Sequence, residues 1–314
     1  MVFIIRRIVQ SLVVVLVMSL VVFVGVHLVG DPVHILISDD MTQEDIERFI
    51  QKLGLDRPVY EQYWHFLANA ARGDLGNSFV YGEPALKLIL QRMPATLELA
   101  CAAFILAILF GIPLGMHAGL RPESPASRAI MAGSILGFSL PTFWVGLMLI
   151  MVFAVMLGWL PSTGRGDFMT GEGLRHLALP AINLALFKMA LVTRLARAGT
   201  REAALQDYVK FARAKGLSQT RVVLVHVLKN ILVPVVTVLG LELGGLIAFS
   251  VVTETVFAWP GMGKLLIDSI QRLDRPVIVA YLVITVLMFV VINLIVDLLY
   301  AALDPRVRLR EAKA

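Results

Sequence analysis

The 314-residue chain has almost no cysteine. Cys101 is its only one, so no intramolecular disulfide can staple any part of it. Charge is scarce too: 16% of residues are charged against 58% hydrophobic, which excludes an ordinary water-soluble domain and points to a protein that crosses a bilayer several times. The histidines at 27, 34, 65, 117, 176 and 226 are scattered, with no i, i+4 pair and no Cys/His cluster, so no metal site is expected. Neither H-E-x-x-H nor G-x-S-x-G occurs, and no catalytic residue is expected. GMGKLL at 261–266 looks like a phosphate-cradling loop but lacks its first glycine, where Ala258 stands. Leu265 also replaces the Ser or Thr that would hold magnesium.

What the chain does have is long apolar runs. A helix needs about 20 mostly apolar residues to cross the hydrocarbon core, and only helices and closed barrels satisfy their own backbone there. The runs do not alternate, so the expected fold is all-α and polytopic. Six transmembrane helices are predicted, over 8–30, 96–117, 129–160, 177–192, 231–253 and 277–295. The first, preceded by Arg6 and Arg7, is too long for a signal-peptide core and has no A-x-A site before Asp31; it reads as an uncleaved anchor.

Basic residues set the orientation. Arg6 and Arg7 precede span 1, Arg121 and Arg128 lie between spans 2 and 3, and Arg306, Arg308, Arg310 and Lys313 follow span 6. Arg194, Arg197, Arg201, Lys210, Arg213, Lys215, Arg221 and Lys229 lie between spans 4 and 5. These segments are placed in the cytoplasm, with both termini. The expected organisation is a cytoplasmic N-terminus and first helix (1–30), an extracytoplasmic segment (31–94), a five-helix core (95–303) and a cytoplasmic tail (304–314). The core carries a cytoplasmic loop at 194–230. The net charge of +5 fits this inside bias and contact with anionic lipid; it requires no nucleic-acid partner.

In that loop, Leu205, Tyr208, Val209 and Ala212 fall at i, i+3, i+4 and i+7 as one apolar stripe, with Lys210, Arg213 and Lys215 elsewhere on the wheel. Gly216 permits a left-handed helix end, and Ser218 can cap the next helix. Two readings fit the spacing equally: a helix lying on the inner membrane face, or one docked in a groove on a cytoplasmic partner.

The stretch DYVKFARAKGLSQTRVVLVHVLKNILVPVVTV (207–238) resembles the cytoplasmic-loop signature of ABC-importer permeases of the dipeptide/oligopeptide/nickel family. Similar to the same family are GLDRPVYEQYWHFLANAARGDLGNSF (54–79), RMPATLELA (92–100), FSLPTFWVGLMLI (138–150), LGWLPSTGRGD (157–167) and ETVFAWPGMGKLLIDSIQRLDRPV (254–277). The resemblance implies a type I ABC importer permease fold in a plasma membrane, the inner membrane in a Gram-negative cell. It implies no cofactor in this chain, ATP and Mg being bound by two cytoplasmic ATPase subunits. The other implied partners are a second, paralogous permease, an extracytoplasmic substrate-binding protein and the lipid bilayer. The implied cargo is dipeptides, oligopeptides or a related small solute.

By that resemblance the ATPase contact falls on Asp207, Tyr208, Phe211, Ala212, Arg213, Ala214, Lys215, Gly216, Leu217 and Ser218. The tempting Glu202-Ala203-Ala204 is out of register with Gly216; in the matching register stand Lys210, Phe211 and Ala212. Trp259, Pro260, Gly261 and Gly263 would form an outer loop near the mouth of the pathway.

Glu242 lies near the middle of span 5, where an ionisable group must face a bundle interior, a water-filled cavity or a polar partner. Either it lines the translocation path and attracts a cationic end of the cargo, or it makes a structural hydrogen bond to a neighbouring helix. Gly240 and Gly244 flank it in GxxxG spacing, and Gly111, Gly115 and Gly119 form a second small-residue stripe. Lys188 is expected to snorkel to the inner interface. The competing function is an ion-gradient-driven secondary transporter, which predicts broken helices and paired ionisable residues at the midplane.

Overall fold

The computed structural model describes residues 2–28, 44, 57–167 and 171–303. Of the expected extracytoplasmic segment, residues 31–43 and 45–56 lie outside the described residues, as does the expected tail 304–314. In chain order the helices are α1 (Val2–Leu28), α2 (Val59–Ala71), α3 (Ala85–Leu120), α4 (Pro125–Ser139), α5 (Thr142–Leu149), α6 (Gly171–Leu205), α7 (Asp207–Ala214), α8 (Leu228–Val256), α9 (Met262–Gln271) and α10 (Arg275–Leu303). A π-helical segment, Ile150–Met156, prolongs α5, and another, Val222–Val227, precedes α8.

Among the described residues, α3, α6, α8 and α10 are each long and apolar enough to cross a membrane, and α1 holds a shorter apolar run, Val9–Gly25. The expected span 129–160 is a pair, α4 and α5 with its π-helical extension, bent by 108°. Pro141 explains the bend: it has no N–H to donate, and it forces Leu140 out of the helical region, to φ −81 and ψ 137. The expected span 177–192 is far too short. At 1.5 Å per residue α6 runs for about 52 Å, so it must project well beyond a hydrocarbon core of about 30 Å.

The chain divides into two compact units. One comprises Met1–Pro94 with Lys264–Val290. Here α2 lies on α1 through a ring cluster, Phe23 to Tyr63 at 5.3 Å and Phe23 to Phe66 at 5.8 Å between centroids. The Tyr63 hydroxyl shares a hydrogen bond with Ser19 at 2.9 Å. In the loop before α3, Gly76 takes φ +84, and the fully buried Asp274 holds the two residues beyond Asn77. Its carboxylate accepts from Ser78 Oγ and from Phe79 N (3.1 Å).

The other unit comprises Ala95–Gly263 with Val291–Ala314. Helix α6 is its spine: 61% of its apolar window is buried, against 11% for α10. The glycine stripe of α3 presses on it. A Cβ on Gly111 would sit 2.8 Å from Val192 Cγ1, and one on Gly119 would sit 2.7 Å from Thr200 Cβ. From α4, Ser134 Oγ donates to Ala190 O across the groove at 2.9 Å. On α8, a Cβ at Gly240 would collide with Val296, so this member of the GxxxG pair also marks a close helix approach.

Asp274→Ala is expected to leave Ser78 and the Phe79 N–H without their buried acceptor, costing about 1–3 kcal/mol. Thermal unfolding in detergent should show a clear fall in midpoint, and Asp274→Asn, which keeps one acceptor oxygen, a smaller one.

Candidate functional site

Three places carry the sequence-derived candidates, all in the second unit. The first is the loop after α6. The helix breaks at Gln206, whose φ −71 and ψ 149 are extended, and α7 begins afresh at Asp207. Leu205 therefore does not share a wheel with α7, and the expected four-residue stripe splits. Val209 and Ala212 are buried in a core with Ala203, Val222, Val227 and Ile231. Leu205, Tyr208 and Phe211 are exposed, Phe211 at 62%.

Gly216 ends the helix as expected, with φ +76. Its N–H reaches Arg213 O at 2.9 Å and the Leu217 N–H reaches Ala212 O at 3.3 Å, which satisfies the carbonyls of the last turn. Ser218 then caps the next turn, accepting from Arg221 N at 3.4 Å. The outward face thus presents Tyr208 and Phe211, with Lys215 Nζ 4.6 Å from the Phe211 ring centroid. Lys210 pairs with Asp207 at 2.9 Å on the surface, a contact of little energetic weight. Asp207 opens the helix and Arg213 and Ala214 lie in its last turn. A recess of about 210 Å³ beside Tyr208 is walled by Glu202, Gln206 and Asn230, so the glutamate set aside on register borders the same surface.

The second place is Glu242. Its Oε2 accepts a hydrogen bond and ion pair from Lys188 Nζ, linking α8 to α6. Lys188 therefore does not snorkel: its side chain is 5% exposed, while that of Glu242 is 34% exposed. The reason is the length of α6, which places Lys188 17 residues before the helix end at Leu205, beyond the reach of one side chain. The ammonium also lies 5.5 Å from the Phe187 ring centroid and 5.7 Å from that of Phe249.

The third place is the loop after α8. Glu254, fully buried, accepts from Thr96 Oγ1 at 2.7 Å and from Ser250 Oγ at 2.9 Å. Thr96 Oγ1 in turn accepts from Met262 N at 2.8 Å, and Trp259 Nε1 donates to Ala95 O at 2.8 Å. A Cβ on Gly261 would run into the Glu254 carboxylate, and one on Gly263 would meet Val251 first, at 2.6 Å from its Cα, and then the same carboxylate. The 157–167 loop joins through Gly164 N to Phe257 O (2.9 Å) and Arg165 Nε to Glu98 Oε2 (2.9 Å). Thr96 and the 259–263 loop thus meet at the Glu254 carboxylate, and the 157–167 loop bonds to their neighbours Phe257 and Glu98. Sequence reading missed Glu254 and Thr96. The available signal was a second carboxylate in an apolar span, seven residues before a glycine.

A bent helix pair and a buried lysine–glutamate pair are both features that the competing transporter class predicts, so geometry alone leaves the class open. Residues 111–309 match the family described as binding-protein-dependent transport system inner membrane component, and residues 1–100 match its N-terminal region. The chain belongs to this family. It is 40% identical to the di/tripeptide transport system permease protein of Pseudomonas aeruginosa, over 92% of this chain and 94% of that one. It is 42% identical to the oligopeptide transport system permease protein of Bacillus subtilis, over 97% and 98%. It is 39% identical to the glutathione transport system permease protein of Escherichia coli K12, over 98% of each.

Among solved structures it resembles the MetNI methionine ABC transporter (TM-score 0.55, 16% identity, 69% of this chain and 96% of that one). It also resembles an amino acid ABC transporter (0.52, 17%, 69% and 94%). The fold is that of an ABC importer membrane subunit. This family member is accordingly a multi-pass inner-membrane permease of a binding-protein-dependent ABC importer, not a secondary transporter.

The knot around Glu254 should tolerate no side chain at its centre. Gly261→Ala is expected to displace the Glu254 carboxylate and destabilise the protein by about 1–3 kcal/mol, as overpacking does. Gly133→Ala, with open space around it, is the control. Thermal melting of the two purified variants should separate them by several degrees.

Proposed function

We propose that the chain forms, with a second, paralogous permease, the membrane path of an importer for short peptides or a related small solute. In this reading two cytoplasmic ATPase subunits bind ATP and Mg and drive it. An extracytoplasmic binding protein delivers the cargo. The relatives in P. aeruginosa, B. subtilis and E. coli carry di/tripeptides, oligopeptides and glutathione in their names, all solutes built of amide-linked amino acids with charged ends. The basic loops favour six spans with both termini in the cytoplasm.

The observation that carries the reading is the construction of α7. Burying Val209 and Ala212 fastens the helix to its own core, a burial worth about 1.5–3 kcal/mol for a residue of valine's size. Tyr208, Phe211 and Lys215 are left outward on a rigid mount. Exposed aromatic and basic side chains beside each other suit a protein groove, and Asp207 to Ser218 is then the contact through which ATP-driven closure biases the permease between its two facing states. Trp259, Pro260, Gly261 and Gly263 belong, in the same reading, to the outer mouth of the path.

Phe211→Asp is expected to reduce binding-protein-stimulated ATP hydrolysis at least tenfold in proteoliposomes while the permease still inserts, because it charges an exposed contact and touches no core. Gly216→Pro, whose ring cannot adopt φ +76, should also uncouple hydrolysis. Normal stimulation in both variants, with ATPase subunits copurifying as before, would remove α7 from the contact.

A further inference from the structure

Glu242 and Lys188 do not form a closed pair. One carboxylate oxygen, Oε2, holds the Lys188 ammonium; the other accepts no hydrogen bond from the described residues. The side chain of Glu242 is one-third exposed although it lies in a helix long and apolar enough to span the membrane. A carboxylate open to hydrocarbon is costly, so its open side faces water or protein rather than lipid. Next to it, Gly245 leaves the approach uncovered. Even a Cβ there would stand 3.6 Å from Lys188 Nζ and 3.7 Å from Glu242 Oε2, an ordinary contact distance. One helical turn further along the same face, the Phe249 ring is 65% exposed.

We infer that this face of α8 is a subsite for the ammonium end of a passing cargo, with Glu242 as the contacting residue and Phe249 as its aromatic wall. The inference rests on the importer reading above and deepens it. Lys188 itself shows what the cradle accepts, since a primary ammonium already sits between the carboxylate and two aromatic rings. A second ammonium would take the free carboxylate oxygen and the exposed face of Phe249, combining a charge-assisted hydrogen bond with a cation–π contact. Lys188 is the positioning residue. It keeps the carboxylate oriented, and it cancels the charge of Glu242 so that the empty site is neutral overall. A neutral site holds a cation weakly, which is what transit requires: binding strong enough to enter and weak enough to leave.

The test uses the complete importer in proteoliposomes, with its binding protein and radiolabelled trialanine as the probe. Glu242→Gln is expected to lower the initial uptake rate at subsaturating peptide by about tenfold, the loss of one charge-assisted contact. Phe249→Ala, a change at an exposed ring that leaves the core intact, is expected to lower it about threefold to fivefold. The double exchange Lys188→Glu with Glu242→Lys rebuilds the ion pair but puts the cation on the open side, and uptake should stay low. Recovery by the exchange to within about twofold of wild type overturns the subsite and makes the pair a structural bridge. Wild-type uptake in Glu242→Gln or in Phe249→Ala overturns it too, as does a wild-type importer that couples ATP hydrolysis to its binding protein yet takes up no trialanine. Copurification of ATPase subunits, followed in the same preparations, reports separately on the importer reading: their absence from the wild-type complex refutes that reading and the subsite with it.

Discussion

The approach of α3 to α6 is the contact on which most of the second unit depends. Lipid tails are as apolar as leucine, so helices inside a bilayer gain little from the hydrophobic effect and must associate through close packing and hydrogen bonds. Gly111, Gly115 and Gly119 remove every side chain from one stripe of α3 and let its backbone lie on Val192, Ala196 and Thr200. Helix α6 is thereby clamped along a length that extends past the membrane core. That fixed spine receives α4 through Ser134 and α8 through Glu242, and it ends in the turn that launches α7.

The buried carboxylates show two solutions to one problem. Asp274 and Glu254 are fully enclosed, and each accepts from a hydroxyl, with a backbone N–H added at Asp274 and a second hydroxyl at Glu254. Groups satisfied in this way fix loops, because any departure leaves several polar atoms unpaired in a low-dielectric setting. Glu242 is different: among the described residues Lys188 alone bonds it, through one oxygen, and its other side is open. An ion pair of this kind, its lysine buried and its glutamate one-third exposed, adds little net stability, so stability alone gives no reason to place lysine and glutamate there.

Much of this was legible from residue order. Apolar runs located the cores of the long helices, and Gly216 and Ser218 announced the end of α7 and the start of the next helical turn, because those signals are local. The failures were non-local. The wheel that joined Leu205 to Ala212 assumed a continuous helix, but the break at Gln206 carries no glycine or proline to mark it. The basic residues Arg194, Arg197 and Arg201 suggested that span 4 had ended, whereas α6 continues as one helix to Leu205, which leaves Lys188 17 residues from its end. The bend at Pro141 was written in the sequence and was overridden in reading by the apolar character on both sides. Glu254 was hard to read as a hub because one of its two hydroxyl partners, Thr96, lies 158 residues away in the chain.

The joints between α6 and α8 include the α7 turn, the Lys188–Glu242 pair and a buried hydrogen bond from Asn183 Nδ2 to Thr253 Oγ1 at 3.0 Å. Counted along the helices, the ion pair lies about 20–25 Å from the turn, at 1.5 Å per residue. Helix α7 cannot move independently, since Val209 and Ala212 share a core with Ala203 on α6 and Ile231 on α8. A push on its outer face is therefore passed to both helices at once. The path also holds a π-helical segment, Val222–Val227, where the hydrogen-bond ladder is wider than in an α-helix. Between rigid helices a small rotation at the turn becomes a displacement at the ion pair. A single lysine–glutamate bond there has little to break, whereas the knot around Glu254 is held from several sides.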